Sequence, residues 1–497
     1  MKILLLNPPF VDQSQYGKPV LLSPCPGTGL SYLYSCLKKH DYNCKIYDFL
    51  FDSWEYIESV IREENADIIG ITCLTEGRYH AFKLLSLIRK VKKETVVIFG
   101  GHHSTYMYKQ LLKHYDIDYV VLGEGERKLL NLIRAIEGRI PLESVEGIAY
   151  IKEGKLIENS IKENYFIKDL DALPFPFSKD QVDKIFKNYP SIQQLRPHLF
   201  KNIPPETYKN GRIVSIVTSR GCPFNCQFCS STLFWGIKWR FRSPKNIVDE
   251  IEFYYKNFGF RYFNFADDAF TIIPERSIEI CKEIINRDLK IYFDCTTRAD
   301  RITDELITWL KKAGCLFAAI GVESGSMKIL KTIHKDITPE SVIKAFSILK
   351  KNQLHAYPLL MVGNPGETDE TVNKTVILMK IIKPTQLSVS KTLIFPGTNL
   401  YDLAKAQGII EDNYWLSSKP PPYYTYEHSL KTLNKWAFLI SNYDKNKYQL
   451  TLLRIHQKIR RILKKNYALT IRKTRLAPII KKTYRKFKIL KFLNYLL

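Results

Sequence analysis

The chain has 497 residues, 45% of them hydrophobic, which is enough for two or three domains with apolar cores. Its formal net charge is +25, and most of the excess lies after residue 427, where 19 Lys or Arg residues accompany a single acidic residue, Asp444. No run of about 18 apolar residues occurs, which excludes a conventional membrane-spanning helix, and the start MKILLLNPPF is interrupted by proline too soon for a signal sequence.

Residues 1 to about 150 alternate between predicted strands and helices. Each of five apolar runs is followed by an amphipathic segment with helical periodicity. The runs are KILLLNPP, CKIYDF, ADIIGITC, TVVIFGG and DYVVLGEGE. Five strands with crossover helices predict a Rossmann-like, doubly wound parallel sheet, in which ligands bind at the carboxyl ends of the strands.

Glycines and small polar residues follow these strands. They are Asn7, Pro8, Thr72, Thr75, Gly100, Gly101, His102, Gly123, Glu124, Gly125 and Glu126. Glycine at such a place lets a bulky ligand approach the backbone. Taken singly, each is also an ordinary turn residue, and His102 and His103 fit a structural or solvated role better than that of a metal ligand.

Residues 151 to about 210 differ in character. The polar alternation of IKEGKLIENSIKEN predicts a small hairpin, and the proline-rich stretches DLDALPFPF and NIPPETYKNG predict turns. We therefore expect a linker between two domains.

Residues 212 to about 400 repeat a strand and helix unit six times. The strands are RIVSIVTS, FRYFNFA, KIYFDCTT, CLFAAIGV, HAYPLLMVG and QLSVSKTLIF, and helices begin near Pro244, Pro274, Thr303, Ser326 and Asp369. This pattern predicts a partial (β/α)6 TIM barrel, whose working face lies at the carboxyl ends of the strands.

The first of these strands leads into TSRGCPFNCQFCSS, which places Cys222, Cys226 and Cys229 in a CxxxCxxC array. A structural zinc site needs four ligands, and no second cysteine or histidine pair accompanies the three. Three thiolates fit three irons of a 4Fe-4S cluster, with the fourth iron open. The other seven cysteines are scattered, which is typical of a reducing compartment.

The remaining strands end in polar or glycine-rich turns on the same face. The turns contain Asp267 and Asp268; Thr296, Arg298 and Asp300; Glu323, Ser324 and Gly325; Asn364, Gly366 and Glu367; and Pro396, Gly397 and Thr398. Their clustering favours a ligand site. As alternatives, Asp268 caps the next helix and Glu367 interacts with a helix dipole.

The cysteine loop, including Phe228, resembles the cluster-binding loop of radical S-adenosylmethionine (SAM) enzymes, and DDAF, GVESGS, NPGET and FPGT also match that family. The resemblance implies that SAM chelates the open iron. It further implies SAM contacts at Phe228, Asp268, Arg298, Glu323, Ser324 and Pro396. An acid for the SAM ammonium and a base for its carboxylate are present in Glu323 and Arg298.

The N-terminal motifs NPP, PCPGTGLSYL, GGHHST and VVLGEGE resemble the cobalamin-binding domain of cobalamin-dependent radical SAM enzymes. The resemblance implies that the strand-end residues from Asn7 to Glu126 named above contact cobalamin. The DxHxxG motif that supplies an axial histidine in cobalamin-dependent mutases is missing from the sequence. We therefore expect cobalt to be bound without that ligand.

The two resemblances together imply a cobalamin-dependent radical SAM methyltransferase, which methylates an unactivated carbon, or phosphorus, using a 5′-deoxyadenosyl radical and methylcobalamin. Oxidative cyclisation or rearrangement with the same cofactors is the alternative. A methylthiotransferase acting on tRNA would suit the basic tail but needs a second cysteine triad, which the N-terminal cysteines do not form. A non-enzymatic cobalamin sensor would leave the cluster loop without a use.

The predicted domains are residues 1–150, 151–210, 211–415 and 416–497. The last is a basic helical region, in which apolar stripes alternate with KIRRILKK and KKTYRKFKILK. Three roles fit it: a solvated helical cap, contact with an anionic membrane, and, less well, nucleic-acid binding. The other expected partners are a small-molecule or lipid substrate and a flavodoxin or ferredoxin type electron donor, in the cytoplasm or at the inner face of the membrane.

Overall fold

The computed structural model describes residues 1–9, 25–160, 166–189, 191, 212–445 and 449. Residues 1–441 form one compact unit and residues 442–497 form a second. The stretch NIPPETYKNG and the cationic stretches KIRRILKK and KKTYRKFKILK lie outside the described residues, and the predicted domain boundaries remain predictions. No helix within the described ranges is long and apolar enough to cross a membrane.

The first sheet contains seven strands and confirms the Rossmann-like prediction. Its strands are β1 (Lys2–Asn7), β2 (Asn43–Asp48), β3 (Ile68–Thr72), β4 (Val96–Gly100), β5 (Tyr119–Val121), β6 (Ile148–Lys152) and β7 (Lys155–Asn159). The spatial order is β2-β1-β3-β4-β5-β6-β7, and the first five strands are parallel. The predicted hairpin forms β6 and β7, which extend this sheet as antiparallel strands.

Both faces of the first sheet are buried. In β1, Ile3 and Leu5 belong to one apolar core, and Leu4 and Leu6 belong to the core on the opposite face. The crossover helices are α1 (Thr28–Lys39), α2 (Trp54–Glu64), α3 (Arg78–Val91), α4 (His102–His114) and α5 (Glu126–Ile136). Burial on both sides explains why these strands appear in the sequence as continuous apolar runs.

The second sheet has six parallel strands in sequential order, as the partial barrel requires. The strands that follow β7 are β8 (Ile213–Ile216), β9 (Ser219–Arg220), β10 (Arg240–Phe241), β11 (Tyr262–Phe265), β12 (Tyr292–Thr297), β13 (Cys315–Glu323), β14 (His355–Val362) and β15 (Ser388–Lys391). All except β9 and β10 belong to this sheet, which runs from β8 at one edge to β15 at the other. The antiparallel pair β9 and β10 was not predicted.

The helices of this half begin mostly where their caps predict. They are α6 (Lys179–Phe186), α7 (Ser231–Trp235), α8 (Pro244–Phe258), α9 (Pro274–Asn286), α10 (Asp304–Lys312), α11 (Met327–Thr332), α12 (Pro339–Lys351), α13 (Asp369–Ile382), α14 (Asn399–Ala406) and α15 (Leu430–Ser441). The single helix expected from Ser326 is in fact two, α11 and α12. The second starts because Thr338 and Ser341 form a capping box around Pro339 at the first helical turn.

The turn after β14 is closed by a buried carboxyl group. Glu367 Oε2 accepts the backbone N–H groups of Gly363 at 2.6 Å and Asn364 at 3.1 Å. Burial raises the pKa of Glu367 to about 7. Glu367 therefore stabilises its own turn by hydrogen bonds to the backbone. Within the described residues, its Oε1 is buried without a hydrogen-bond partner.

We predict that wild type loses folding stability as the pH rises and that Glu367→Gln removes this loss. Because the folded-state pKa exceeds the ordinary value of 4.5, the contribution of the wild-type carboxyl is complete below pH 4.5 and is lost as the pH rises through 7. The loss amounts to about 3 kcal/mol at most. Thermal unfolding midpoints between pH 5 and 8 should therefore rise for the variant relative to wild type as the pH increases.

The control is Glu370→Gln, since Glu370 lies on the next helix and its exposed carboxylate pairs with Lys374 at 2.9 Å. Its pKa is lowered by that pairing, so it stays ionised throughout this pH range. A pH-dependent gain of the same size in Glu370→Gln would contradict the assignment to Glu367.

Candidate active site at the interface of the two sheets

The cysteine loop lies between β9 and β10, which hold its two ends together. Gly221 has φ +87°, and a Cβ there would lie 2.8 Å from the carbonyl oxygen of Lys238. Only glycine therefore lets the two ends of the loop approach so closely. The backbone N–H of Gln227 donates to the carbonyl of Ile333 at 3.0 Å, which fastens the loop to the end of α11.

Cys222, Cys226 and Cys229 are half-buried on this loop. Within the described ranges, no three His, Cys, Asp or Glu side chains are grouped so that they could hold a single metal ion. The three thiols are therefore not arranged as ligands of one zinc ion. The loop can instead provide one thiolate to each of three irons, which agrees with the prediction of a 4Fe-4S cluster.

A buried ion pair lies beside the loop. Lys335 Nζ lies 2.9 Å from Glu323 Oε1, and both side chains are about nine-tenths buried. Burial lowers the pKa of Lys335, but the charge and hydrogen bond of Glu323 together with the charge of Cys226 outweigh it, so the net shift is upward. A Cβ on Gly321 would come within 2.7 Å of Lys335 Nζ, so glycine makes the space for this pair.

Arg298 also contacts the cysteine loop. Its guanidinium lies 3.5 Å from the ring centroid of Phe224, donates to Asp300 at 3.0 Å and donates to the carbonyl of Asp336 at 3.0 Å. The predicted SAM contact is therefore also a structural support of the cluster loop. Lys335 and Phe224 were not predicted, because neither carries a local sequence signal of a site.

The other predicted SAM contacts lie in different environments. Ser324 is fully buried and its hydroxyl lies 3.3 Å from that of Thr375. Asp268 accepts a hydrogen bond from Ser231 and is exposed to a large cavity, whose walls raise the pKa of its carboxyl to about 6. Phe228 packs against the core of the first sheet, and Pro396 lines a second, smaller cavity. Their contacts with SAM remain predictions.

The large cavity has a volume of about 440 Å3 and lies at the carboxyl ends of the first sheet. Of the predicted cobalamin contacts, Asn7, Pro8, Thr72, Gly100, Gly101, His102, Gly123, Glu124, Gly125 and Glu126 line it. Ser219, Arg220, Trp235 and Asp268 line it from the second half of the chain. The cavity thus has walls from both sheets and contacts the strand that leads into the cluster loop.

Thr75 is the exception among the predicted cobalamin contacts. It lines the smaller cavity, and its hydroxyl lies 3.3 Å from Nδ1 of the buried His103. His102 lines both cavities and stacks on Phe234, with ring centroids 3.7 Å apart. Burial lowers the pKa of His102 to about 4, so its imidazole is neutral at physiological pH.

Glu124 and Glu126 line the large cavity, but their carboxylates bind arginines rather than point freely into it. Arg220 donates to Glu124 at 3.0 Å and to Glu126 at 2.6 Å, and Arg240 donates to Glu124 at 2.9 Å. Glu124 also accepts the backbone N–H of Ile167 at 2.7 Å. We call these four side chains, each at least nine-tenths buried, the interface ion network.

Comparison with known proteins agrees with this geometry. A sequence model of the Radical SAM superfamily matches residues 216–379, and one of the B12 binding domain matches residues 20–133. An uncharacterized methyltransferase of Pyrococcus horikoshii is 30% identical over 420 residues, which cover 84% of this chain and 85% of the relative. An anaerobic magnesium-protoporphyrin IX monomethyl ester cyclase of Rubrivivax gelatinosus is 30% identical over 412 residues, covering 81% and 69%.

A solved structure shares the fold over nearly the whole chain. It is the cobalamin-dependent S-adenosylmethionine radical enzyme OxsB with aqua-cobalamin and S-adenosylmethionine bound. The TM-score is 0.69 at 19% identity, and the match covers 98% of this chain and 75% of OxsB.

We predict that Arg220→Met strongly destabilises the protein, because it leaves Glu124 and Glu126 buried with less compensation. Breaking a buried pair in this way typically costs about 3–5 kcal/mol. Urea unfolding followed by circular dichroism should show a clearly lower midpoint. The matched control is Arg212→Met, since Arg212 pairs with the exposed Asp183 at 3.1 Å and is expected to change stability by about 1 kcal/mol or less. Equal midpoints for the two variants would contradict a supporting role for the interface ion network.

Proposed function

The chain belongs to the cobalamin-dependent radical SAM enzymes, and on that premise we propose that it transfers a methyl group from SAM, by way of cobalamin, to an unactivated carbon or phosphorus atom. The observation that carries the proposal is the large cavity, whose walls come both from the strand ends of the first sheet and from the segment that leads into the cluster loop. A methyl carrier and a radical source bound there and on the loop would be neighbours.

Different residues of the chain would bind the cluster and cobalamin. Cys222, Cys226 and Cys229 would hold the 4Fe-4S cluster, and the strand-end glycines would allow the backbone to approach cobalamin. When bound, the cluster supplies an electron for cleavage of SAM and cobalamin supplies a methyl carrier.

Lys335 and Arg298 are buried cations beside the loop, so they would attract the SAM carboxylate, and Glu323 would attract its ammonium group. Each of these side chains is already held by a neighbour: Lys335 and Glu323 by one another, and Arg298 by Asp300 and Phe224. The charges are thus placed before SAM binds, which reduces the entropy cost of binding.

Oxidative cyclisation remains the second candidate, because a relative of equal identity is named as a cyclase. The products of SAM distinguish the two reactions. For methyl transfer we expect S-adenosylhomocysteine together with 5′-deoxyadenosine when the reduced holoenzyme turns over, measured by liquid chromatography and mass spectrometry. Formation of 5′-deoxyadenosine alone would rule methyl transfer out.

The cluster assignment predicts the effect of Cys226→Ala. Anaerobic reconstitution with iron and sulfide should yield about four irons per chain in wild type, and the variant should lose most of this iron and the cleavage of SAM. Cys36→Ala is the matched control, since Cys36 is also half-buried but lies outside the loop. Equal iron contents in wild type and Cys226→Ala would defeat the assignment.

The partners of the enzyme are inferred from its chemistry and charge. Cleavage of SAM needs one electron from outside, for which a flavodoxin or ferredoxin type donor is suitable. The basic residues after Ser441 favour a peripheral contact with an anionic membrane. In sedimentation with anionic liposomes, the full chain should bind and a chain ending at Ser441 should not; equal sedimentation of both would reject this contact.

A further inference from the structure

The smaller cavity has a volume of about 200 Å3 and lies next to the large one. The loop after β3 provides Leu74, Thr75 and Glu76; α4 provides His102 and Tyr106; the end of the cluster loop provides Ser230; and the turn after β15 provides Phe395 and Pro396. Leu74 and His102 also line the large cavity, so the two spaces share a wall. The smaller cavity therefore lies between the cobalamin edge of the first sheet and the cluster loop.

The walls of this cavity are fixed by close packing. Gly397 has φ +81°, and a Cβ there would lie 2.5 Å from the ring of Tyr106, so glycine lets the FPGT turn close against α4. On the other side, His102 is held by its stacking on Phe234. The cavity is thus a formed space whose shape depends on contacts between the two halves of the compact unit.

Glu76 is the acidic residue of this lining, and its side chain is exposed to the space. No hydrogen bond or ion pair joins its carboxylate to another side chain in the part of the chain that the structure describes. Burial raises the pKa of Glu76, and its own backbone N–H and the charge of Arg78 together lower it by less. Neither Lys nor Arg is among the residues that line the cavity.

Arg78, the nearby cation, makes its hydrogen bonds to backbone carbonyl groups and not to Glu76. Its guanidinium is buried and donates to the carbonyl oxygens of Thr75, Trp415 and Ser417, each at 2.9 Å, and to that of Lys419 at 2.5 Å. It therefore fastens the segment after α14 to the loop after β3 with four of its five N–H groups, and no hydrogen bond or ion pair joins it to Glu76 within the described residues. The negative charge of Glu76 lacks a counterion from the described lining of the cavity.

We propose that the smaller cavity binds the substrate and that Glu76 selects substrates with a cationic amine over anionic ones. This inference rests on the proposed function, because it places the substrate between the two cofactors. An ammonium group in the cavity supplies the missing counterion, whereas a carboxylate or phosphate brings a second negative charge next to Glu76. The neutral imidazole of His102 and the ring of Tyr106 provide the apolar surface beside this charge.

The test compares two compounds of similar shape and opposite charge, 2-phenylethylamine and 3-phenylpropanoate. Both are titrated calorimetrically into the full-length protein loaded with cluster, cobalamin and SAM. We expect the amine to bind at least about tenfold more tightly to wild type, and the preference to fall to about twofold or less in Glu76→Gln. Glu63→Gln is the control, since Glu63 is exposed on α2 and its loss should leave the tenfold preference intact.

Three outcomes overturn the proposal: equal binding or no binding of the two compounds by wild type, an amine preference that persists in Glu76→Gln, or a higher Kd for SAM in that variant with unchanged selectivity. The last would mean that Glu76 faces SAM instead. Because binding is measured without turnover, failure here is separate from failure of the proposed function, which shows instead as missing S-adenosylhomocysteine.

Discussion

The interface ion network is the interaction on which the arrangement of the two halves depends. Its glutamates follow β5 in the first sheet, and its arginines lie on β9 and β10, which frame the cluster loop. Four buried charges are tolerated only when each is paired and hydrogen-bonded. Glu124 meets this condition with two arginines and a backbone N–H, so it fixes the end of the first sheet against the strand that ends two residues before Cys222.

The network also changes how VVLGEGE is interpreted. The sequence resemblance implied that all four residues of its GEGE segment contact cobalamin, and all four do line the large cavity. Glycine is favoured at both positions of this segment, because Gly123 has φ +69° and a Cβ at Gly125 would lie 3.0 Å from Leu33. The two carboxylates serve mainly to bind Arg220 and Arg240. One short segment thus combines backbone access for a cofactor with side chains that join the two sheets.

The fold could be predicted further than the site because its signals are local. Buried parallel strands are continuous apolar runs, and caps such as Thr303 mark where helices begin. The cysteine triad is local as well. In contrast, Arg220 lies 96 residues from Glu124 in the sequence, and the residues next to either one do not indicate that the two form an ion pair. Lys335 lies only 12 residues after Glu323 in the sequence. It reaches Glu323 because α11 ends at Thr332, and no short sequence motif encodes this tertiary contact.

The two cavities differ in how their charge is balanced, and this difference bears on the chemistry. In the large cavity, Glu124 and Glu126 are neutralised by arginines, Asp48 accepts hydrogen bonds from Asn7 and Tyr189, both at 2.7 Å, and Asp268 accepts one from Ser231. Such a lining can hold a large cofactor without competing for charged substrates. Next to the smaller cavity, Arg78 donates to backbone carbonyl groups, and within the described residues no hydrogen bond or ion pair joins it to Glu76. The carboxylate without a side-chain partner among the described residues therefore lies in the smaller cavity, where the proposed substrate binds and where it would discriminate between cationic and anionic compounds.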